Sequence, residues 1–287
     1  MSALRTGLRT AAGNARLLWW LLAANLALAF VAASPLMGPF EESLSRHEAA
    51  AEMTRRFDMS WWVDLTTSRA ESFSRALDAV AAAAFLSAIL GCFFAGGLLQ
   101  AYHDTMGELP LDRFMTSCRR WFGRFVWLFA LSLPLYWLVH RLVNTHLALA
   151  IDDALEHVKR EEAGLLINLG RAALFLILFD LVTLMADYAR VHAIVRAERS
   201  MLTCLSSGMR FVLRHPLRVG SLEAAALGAQ ALALGLYVPV DRLLTRESAT
   251  GLVAGLIATE SFLLLRLFLR ETTRAGQVAL YRSVAAG

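Results

Sequence analysis

Glu260 lies near the middle of a long apolar stretch, and Asn25 and Gln230 occupy similar positions in two other apolar stretches. An Asp at the centre of a bilayer costs about 2.5–3.5 kcal/mol on insertion, and we expect a similar cost for Glu. A residue that carries this cost is expected to have a hydrogen-bonding or charged partner, or a function in the membrane. Glu260 could couple the movement of protons or cations, or it could be a protonated, hydrogen-bonded packing residue. If their helices are neighbours, Asn25, Gln230 and Glu260 form one candidate polar cluster.

A second set of polar residues recurs at intervals of three or four and therefore shares one face of a helix. Two further charged residues are expected at similar depth in other spans, where Asp180 or Glu223 could form an ion pair with Arg266. The face could be the floor of a polar cavity open to the cytoplasm, or it could hold interhelical clamps and snorkelling side chains. The candidate residues are Asp180, Thr183, Asp187, Arg190, Glu223 and Arg266.

No catalytic, nucleotide-binding or metal-binding motif accompanies these residues. The chain contains no HExxH, no Walker loop and no GxSxG, and Gly96-Gly97 is typical of helix packing and not of a phosphate cradle. Cys92, Cys118 and Cys204 form no CxxC pair, so neither a disulfide nor a zinc site is implied. We therefore expect a protein that is not an enzyme and that has no cofactor and no catalytic or metal-ligating residue.

Composition identifies the setting of these residues. Of 287 residues 57% are hydrophobic and only 18% are charged, and the mean hydropathy is +0.51, which excludes an ordinary water-exposed surface. The apolar runs are too long for the strands of a barrel, so the sequence predicts an all-α, polytopic membrane bundle of six transmembrane helices. The predicted spans cover about 17–35, 77–100, 125–140, 165–186, 219–238 and 251–269.

Charge and aromatic residues predict the orientation. Lys and Arg are more numerous on the side of the termini, which places both termini in the cytoplasm of a bacterial cell and the protein in its inner membrane. The outer loop then covers about 36–76, with a solvated helix over 41–56 and an aromatic segment, 57–62, that either dips into the outer leaflet or packs on the bundle. The first apolar run is too long for a signal peptide and predicts an uncleaved span.

A basic amphipathic stretch, here called an elbow, precedes three of the spans. The copies are Arg5–Trp20, Leu111–Trp127 and Glu198–Val219, and the third continues an apolar periodicity that starts at Val191. This pattern is typical of helices that lie in the headgroup plane, and Pro216 fits the bend into the fifth span. The expected contacts to lipid headgroups are Arg16, Arg124, Arg196, Arg199, Arg210 and Arg214.

Each elbow with its following pair of spans forms one unit of a single transmembrane domain, about 1–108, 109–186 and 187–287. Three basic elbows that feed paired spans, with Asp187-Tyr188-Ala189-Arg190 before the third, resemble a broad group of uncharacterised bacterial six-span proteins. That group is similar in outline to the membrane domain accompanying some glycerophosphodiester phosphodiesterases. The resemblance implies an inner-membrane helical bundle and transfers no catalytic residue.

Two classes of function follow. The first is a membrane component that binds lipid or scaffolds a membrane complex; the second is a small proton- or cation-coupled transporter that uses Glu260. The pI near 9.3 comes largely from the elbow arginines, so anionic lipid is the expected partner and nucleic acid is not. A second copy of the chain or another membrane protein is a further candidate partner.

Overall fold

A computed structural model of the protein describes residues 2–45, 63, 67, 70–104, 110–155, 161–244 and 249–285. The described chain is helical, and six of its helices are long and apolar enough to cross a membrane, which confirms the predicted all-α polytopic class. The helices are α1 (Ser2–Gly13), α2 (Ala15–Ser45), α3 (Ala70–Asp104), α4 (Leu111–His140), α5 (Ala148–Leu155), α6 (Glu161–Arg196), α7 (Met201–Arg214), α8 (Pro216–Leu243) and α9 (Ala249–Ala285).

The helices divide into two compact units. The smaller unit, residues 16–91, contains α2 and the first part of α3. Trp19, Trp20 and Phe30 of α2 are more than half exposed, as expected of side chains that face lipid. Helix α2 runs to Ser45, beyond the predicted end at residue 35, because a helix satisfies its own backbone and can continue past the apolar run. The predicted loop helix lies outside the described residues after Ser45, and so does the aromatic segment 57–62.

The larger unit, residues 1–15 and 92–287, contains the other helices and the C-terminal end of α3. Its third span is one continuous rod, since a π-helical segment, Arg141–Leu147, joins α4 directly to α5. The extra length supplies the flanking residues that the short apolar run over 125–140 needs to cross a bilayer of roughly 30 Å. The second elbow is the first part of α4 and not a separate helix.

The third elbow begins later than the sequence periodicity indicates. Val191 belongs to α6, which ends in a Schellman motif: the amide of Glu198 donates to Ala193 at 3.1 Å and that of Ala197 to Ile194 at 3.3 Å. Ala197 has φ 51°, the left-handed conformation that this motif requires and that breaks the helix. The elbow is therefore α7, and the expectation of one interfacial helix from Val191 onward is wrong.

Both ends of α7 carry local signals that explain its length. The hydroxyl of Ser200 accepts from the amide of Thr203 at the N-terminus, as an N-cap does. At the other end His215 leaves the helical conformation, and Pro216 is the first residue of α8. Pro216 thus lies at the predicted bend between the elbow and the fifth span.

Each elbow packs on the C-terminal end of a long helix, and a glycine allows the close approach in each case. Gly208 of α7 faces the backbone of Ala189 on α6, where an added Cβ would lie 2.6 Å from the amide nitrogen. Gly97 of α3 faces the ring of Phe114 on the first part of α4, where an added Cβ would lie 2.6 Å from the nearest ring carbon. These two elbows follow their supporting helices directly in the chain.

The first elbow, unlike the other two, packs on a helix from the opposite end of the chain. Helix α1 packs on the C-terminal end of α9, where Gly7 faces Gly276 and an added Cβ would lie 2.7 Å from the Gly276 nitrogen. Ala11 of α1 is 1% exposed, so the apolar face of this elbow is covered by protein. The C-terminal ends of α3, α6 and α9, together with the three elbows, are called the elbow end below.

Candidate functional site

A buried charged cluster lies at the elbow end. Glu271 of α9 is 1% exposed, and it accepts hydrogen bonds from Tyr102 of α3 at 3.0 Å and from Arg274 of α9 at 2.6 Å. The pair Glu271–Arg274 is spaced i, i+3, so both side chains project from the same face of α9. A buried carboxylate with two charge-matched or polar donors is satisfied, and the three residues tie α3 to α9.

The lengths of the supporting helices explain why this cluster can be so polar. Helices α3, α6 and α9 contain 35, 36 and 37 residues. At 1.5 Å per residue each exceeds 50 Å, whereas a hydrocarbon core is about 30 Å thick. Each helix is therefore longer than the core is thick, which leaves room for charged residues at its ends.

Further polar contacts join the same ends. The amide of Gln277 donates to Glu223 of α8 at 2.9 Å, and the ring of His192 on α6 lies 2.5 Å from the hydroxyl of Tyr281 on α9. Arg282 donates to the backbone carbonyl of His103 at 3.1 Å. These bonds connect α3, α6, α8 and α9, so the elbow end is a cross-linked polar layer.

Three residues of the predicted polar face of α6 make side-chain contacts. Asp187 and Arg190 form an ion pair, and the hydroxyl of Thr183 lies 3.1 Å from that of Tyr136 on α4. Asp180 is exposed. Asp187 and Arg190 thus pair within α6, and Thr183 joins α6 to α4.

The predicted pairing of Arg266 with an acid is not found within the described residues. Glu223 accepts from Gln277 instead, and Arg266 is exposed. The antiparallel register of α8 and α9 gives the reason: Leu222 faces Gly276, so Arg266 lies about three helical turns from the level of Glu223. The expectation of equal depth for Glu223 and Arg266 is wrong.

The central cluster is also divided by this register. Tyr237 of α8 lies 3.0 Å from Thr259 of α9, which places Gln230 about two turns away from the level of Glu260. Within residues 161–244 and 249–285 no hydrogen bond joins Gln230 to Glu260. Asn25 belongs to the smaller unit and donates to the carbonyl of Leu21 in its own helix at 2.7 Å.

Glu260 itself is half-buried and incompletely satisfied. Its Oε2 atom is buried and has no hydrogen-bond partner among the described residues. Two residues after Glu260, the ring of Phe262 on α9 stacks on that of Tyr237 on α8, with ring centroids 4.4 Å apart. A carboxyl group in such surroundings can accept or hold a proton or a cation, and this is the chemistry that the second class of function requires.

Helix α7 shows how an elbow divides its surface into three faces at about 100° per residue. One apolar stripe is exposed, with Leu202 64% and Leu213 63% accessible, and it adjoins a polar face that carries Arg210 and Arg214, both exposed. The stripe suits lipid and the polar face suits headgroups or water. The third face, which packs on α6, consists of Met201, Cys204, Gly208, Phe211 and Val212.

The other predicted headgroup residues are also at the surface. Arg16, Arg196 and Arg199 are exposed, although Arg196 belongs to the end of α6 and not to an elbow. Arg124 is half-buried because its guanidinium lies over the ring of Trp121, 5.1 Å from the centroid. Trp121 is 2% exposed and donates to Gln100, so it packs within protein and is not a membrane-interface tryptophan.

Two titratable groups lie between the spans. The amides of Ser200 and Arg199 donate to Glu198 and hold the pKa of its carboxyl below the ordinary value, so this exposed acid stays charged beside the elbow. Burial raises the pKa of the Cys204 thiol to about 11. Cys204 is therefore a protonated packing residue on the inner face of α7.

The Glu271 cluster was not predicted, although its sequence carries a signal. Glu271, Arg274 and Gln277 recur every three residues directly after the last apolar run. Such spacing is ordinary on an exposed helix end. The three residues form a buried cluster only because α1 and α3 pack on this part of α9. A search for polar residues at helical spacing beyond each predicted span would have found it.

The described residues contain no group of three or more potential metal ligands. The elbow end therefore offers contacts of two kinds, buried ion pairs that join helices and exposed arginines beside apolar stripes. Comparisons with protein-family models, with curated proteins and with solved structures find no match for this chain.

Proposed function

We propose that the protein is a non-enzymatic component of a bacterial inner membrane that binds anionic lipid through the exposed arginines of its elbows. One observation carries this proposal: α7 buries one apolar face on α6, yet it exposes a second apolar stripe directly beside Arg210 and Arg214. A helix that only packed on protein would not need that stripe. A helix at a membrane surface places such a stripe in the acyl region and the arginines among headgroups.

The proposal includes the orientation. Anionic lipid and the excess of Lys and Arg both favour the cytoplasmic side, so the elbow end and both termini lie there. Exposed Arg5 and Arg9 of α1 and exposed Arg113 and Arg119 of α4 add to the positive charge of this side. The resemblance to the membrane domain accompanying some glycerophosphodiester phosphodiesterases implies the same inner membrane and says nothing about the orientation. A scaffold role would use the same surface.

Removing the positive charge of the third elbow and of the residues just before it should weaken the retention of anionic lipid. Each Arg near an anionic surface contributes about 1 kcal/mol. In a variant with Arg196, Arg199, Arg210 and Arg214 all changed to Gln, we expect fewer phosphatidylglycerol molecules per protein in native mass spectrometry, with thermal stability unchanged. The corresponding four-Lys variant keeps the charge and should retain lipid as the wild type does. Equal retention by the Gln variant would contradict the proposal.

The second candidate function is a proton- or cation-coupled transporter, and the buried Oε2 of Glu260, for which the described part of the chain supplies no hydrogen-bond partner, favours it. A cation that binds the native state raises the thermal stability of the protein. If Glu260 binds a cation or a proton, the melting temperature of the purified protein should respond to Na⁺ or to pH, and Glu260→Gln should be folded but unresponsive.

The Ala substitution separates this candidate from a packing role. If Glu260 is a packing residue, Glu260→Gln should be as stable as the wild type, because Gln keeps the shape and hydrogen-bonding capacity of protonated Glu, and Glu260→Ala should be less stable. A wild type whose stability is independent of Na⁺, K⁺ and pH would exclude the transporter candidate.

A further inference from the structure

A cavity of about 280 Å³ lies between α1, the end of α3 and the end of α9, and it is partly open to the surface. Its walls combine two kinds of group. They include small apolar residues, among them Ala3 and Ala279, and hydroxyl-bearing Thr10 and Ser283. The phenol ring of Tyr102 connects the cavity to the Glu271 cluster.

Arg282 is the one charged side chain among the described residues that line this cavity. One of its nitrogens, Nη1, donates to the carbonyl of His103, which fixes the guanidinium beside the cavity. A guanidinium has five N–H donors in a planar fork, so donors remain for an anionic oxygen. Exposed Arg9 lies about 60° from Thr6 around α1 and adds positive charge near the opening.

The hydroxyl groups of the cavity offer lone pairs, because their hydrogens are already used. Thr10 donates to the carbonyl of Thr6 at 3.0 Å, and Ser283 donates to that of Leu280 at 2.8 Å. Their oxygens can therefore accept hydrogen bonds from a ligand. The matching ligand has an anionic phosphate for Arg282, a hydroxyl donor for Thr10 and Ser283, and an apolar portion for the alanines.

We propose that the cavity binds the headgroup of one anionic phospholipid whose polar group carries a hydroxyl, such as phosphatidylglycerol. The phosphate lies on Arg282, the headgroup hydroxyl on Thr10 and Ser283, and the ester region on the small apolar residues. This inference rests on the proposed lipid-binding function and makes it specific: one defined site at the contact of α1 with α9 is added to the diffuse attraction of the elbow arginines.

The test uses the full chain, delipidated in detergent and titrated with phosphatidylglycerol or phosphatidylethanolamine in native mass spectrometry. Loss of one charge-assisted phosphate contact should weaken the tightest phosphatidylglycerol site about tenfold or more in Arg282→Gln. Arg218→Gln is the matched control, since Arg218 is exposed on α8 and does not line the cavity. Ala279→Leu, which narrows the cavity and keeps the charge, should weaken the same site as much as Arg282→Gln does.

The outcomes separate the two proposals. If Arg282→Gln and Arg218→Gln weaken binding equally, the cavity site is wrong while the elbow function stands; if the wild type retains no phosphatidylglycerol, both are wrong. Equal binding of phosphatidylethanolamine overturns the choice of an anionic lipid. Displacement of the lipid by soluble glycerol 3-phosphate overturns the lipid as the source of the phosphate. Should Arg282→Gln not fold, Ala279→Leu decides alone.

Discussion

Replacing Glu271 with alanine is expected to lower the free energy of unfolding by about 3–5 kcal/mol, because it leaves the largely buried guanidinium of Arg274 without the Glu271 carboxylate. Arg274 is 17% exposed, and its closest carboxylate is that of Glu271, 2.6 Å away. Tyr102 also loses its acceptor. The measurement is thermal or denaturant unfolding of the purified protein in a mild detergent.

Two further variants distinguish the charge from the hydrogen bond. Tyr102→Phe removes only the bond to the Glu271 carboxylate and should cost about 1.5–3 kcal/mol. The double variant Glu271→Leu with Arg274→Met removes both charges and should be more stable than Glu271→Ala, because no ion is left unpaired in a buried site. A double variant that unfolds as easily as Glu271→Ala would show that the loss comes from packing and not from the unpaired charge.

Substitution of Gly208 by alanine should also lower the stability of the protein substantially. The added Cβ would lie 2.6 Å from the amide nitrogen of Ala189, and backbone atoms cannot rotate away as a flexible side chain can. Overpacking of this kind costs about 1–3 kcal/mol, which exceeds the gain of about 0.5–1 kcal/mol that alanine brings to a helix interior. We expect lower thermal stability and an elbow α7 displaced from α6.

Gly228 provides the matched control. It is also in a helix interior, on α8, but an added Cβ would meet no atom of the residues that the structure describes within 4 Å. Gly228→Ala should therefore leave the stability unchanged or raise it by up to about 1 kcal/mol. If both glycine variants behave alike, close packing of α7 on α6 does not contribute to stability. Protease sensitivity near Ala197 would report whether the elbow has been released.

The spans and the bend at Pro216 could be predicted because they depend on local properties. A long apolar run that must satisfy its backbone in lipid can only be a helix, and Pro216 lacks the amide hydrogen needed to continue one. The break at Ala197 escaped prediction because the apolar periodicity continues across it from Val191 to Val212. The helix ends at a residue in the left-handed conformation, and alanine is not a residue type that predicts this conformation.

The contacts between helices could not be predicted, since they depend on register. Hydropathy locates a span but does not fix its register against a neighbouring helix, and a shift of about three turns decides whether Glu223 meets Gln277 or Arg266. In the same way Trp121 reads as an interface residue from its place near a span end, yet Gly96 leaves room for it against α3. Partners that are distant in the chain determine such burial.

The packing of α1 on α9 has a consequence for the order of events during synthesis. Gly7 leaves the ribosome long before Gly276 exists, and at 5–20 residues per second the delay is on the order of 15–50 seconds. Throughout that interval α1 has no α9 to cover its apolar face, and lipid at the membrane surface is the surface available to it. If the proposed lipid-binding function is right, the arginines that flank this face hold the nascent helix against the bilayer until the last span is inserted and α1 exchanges lipid for protein.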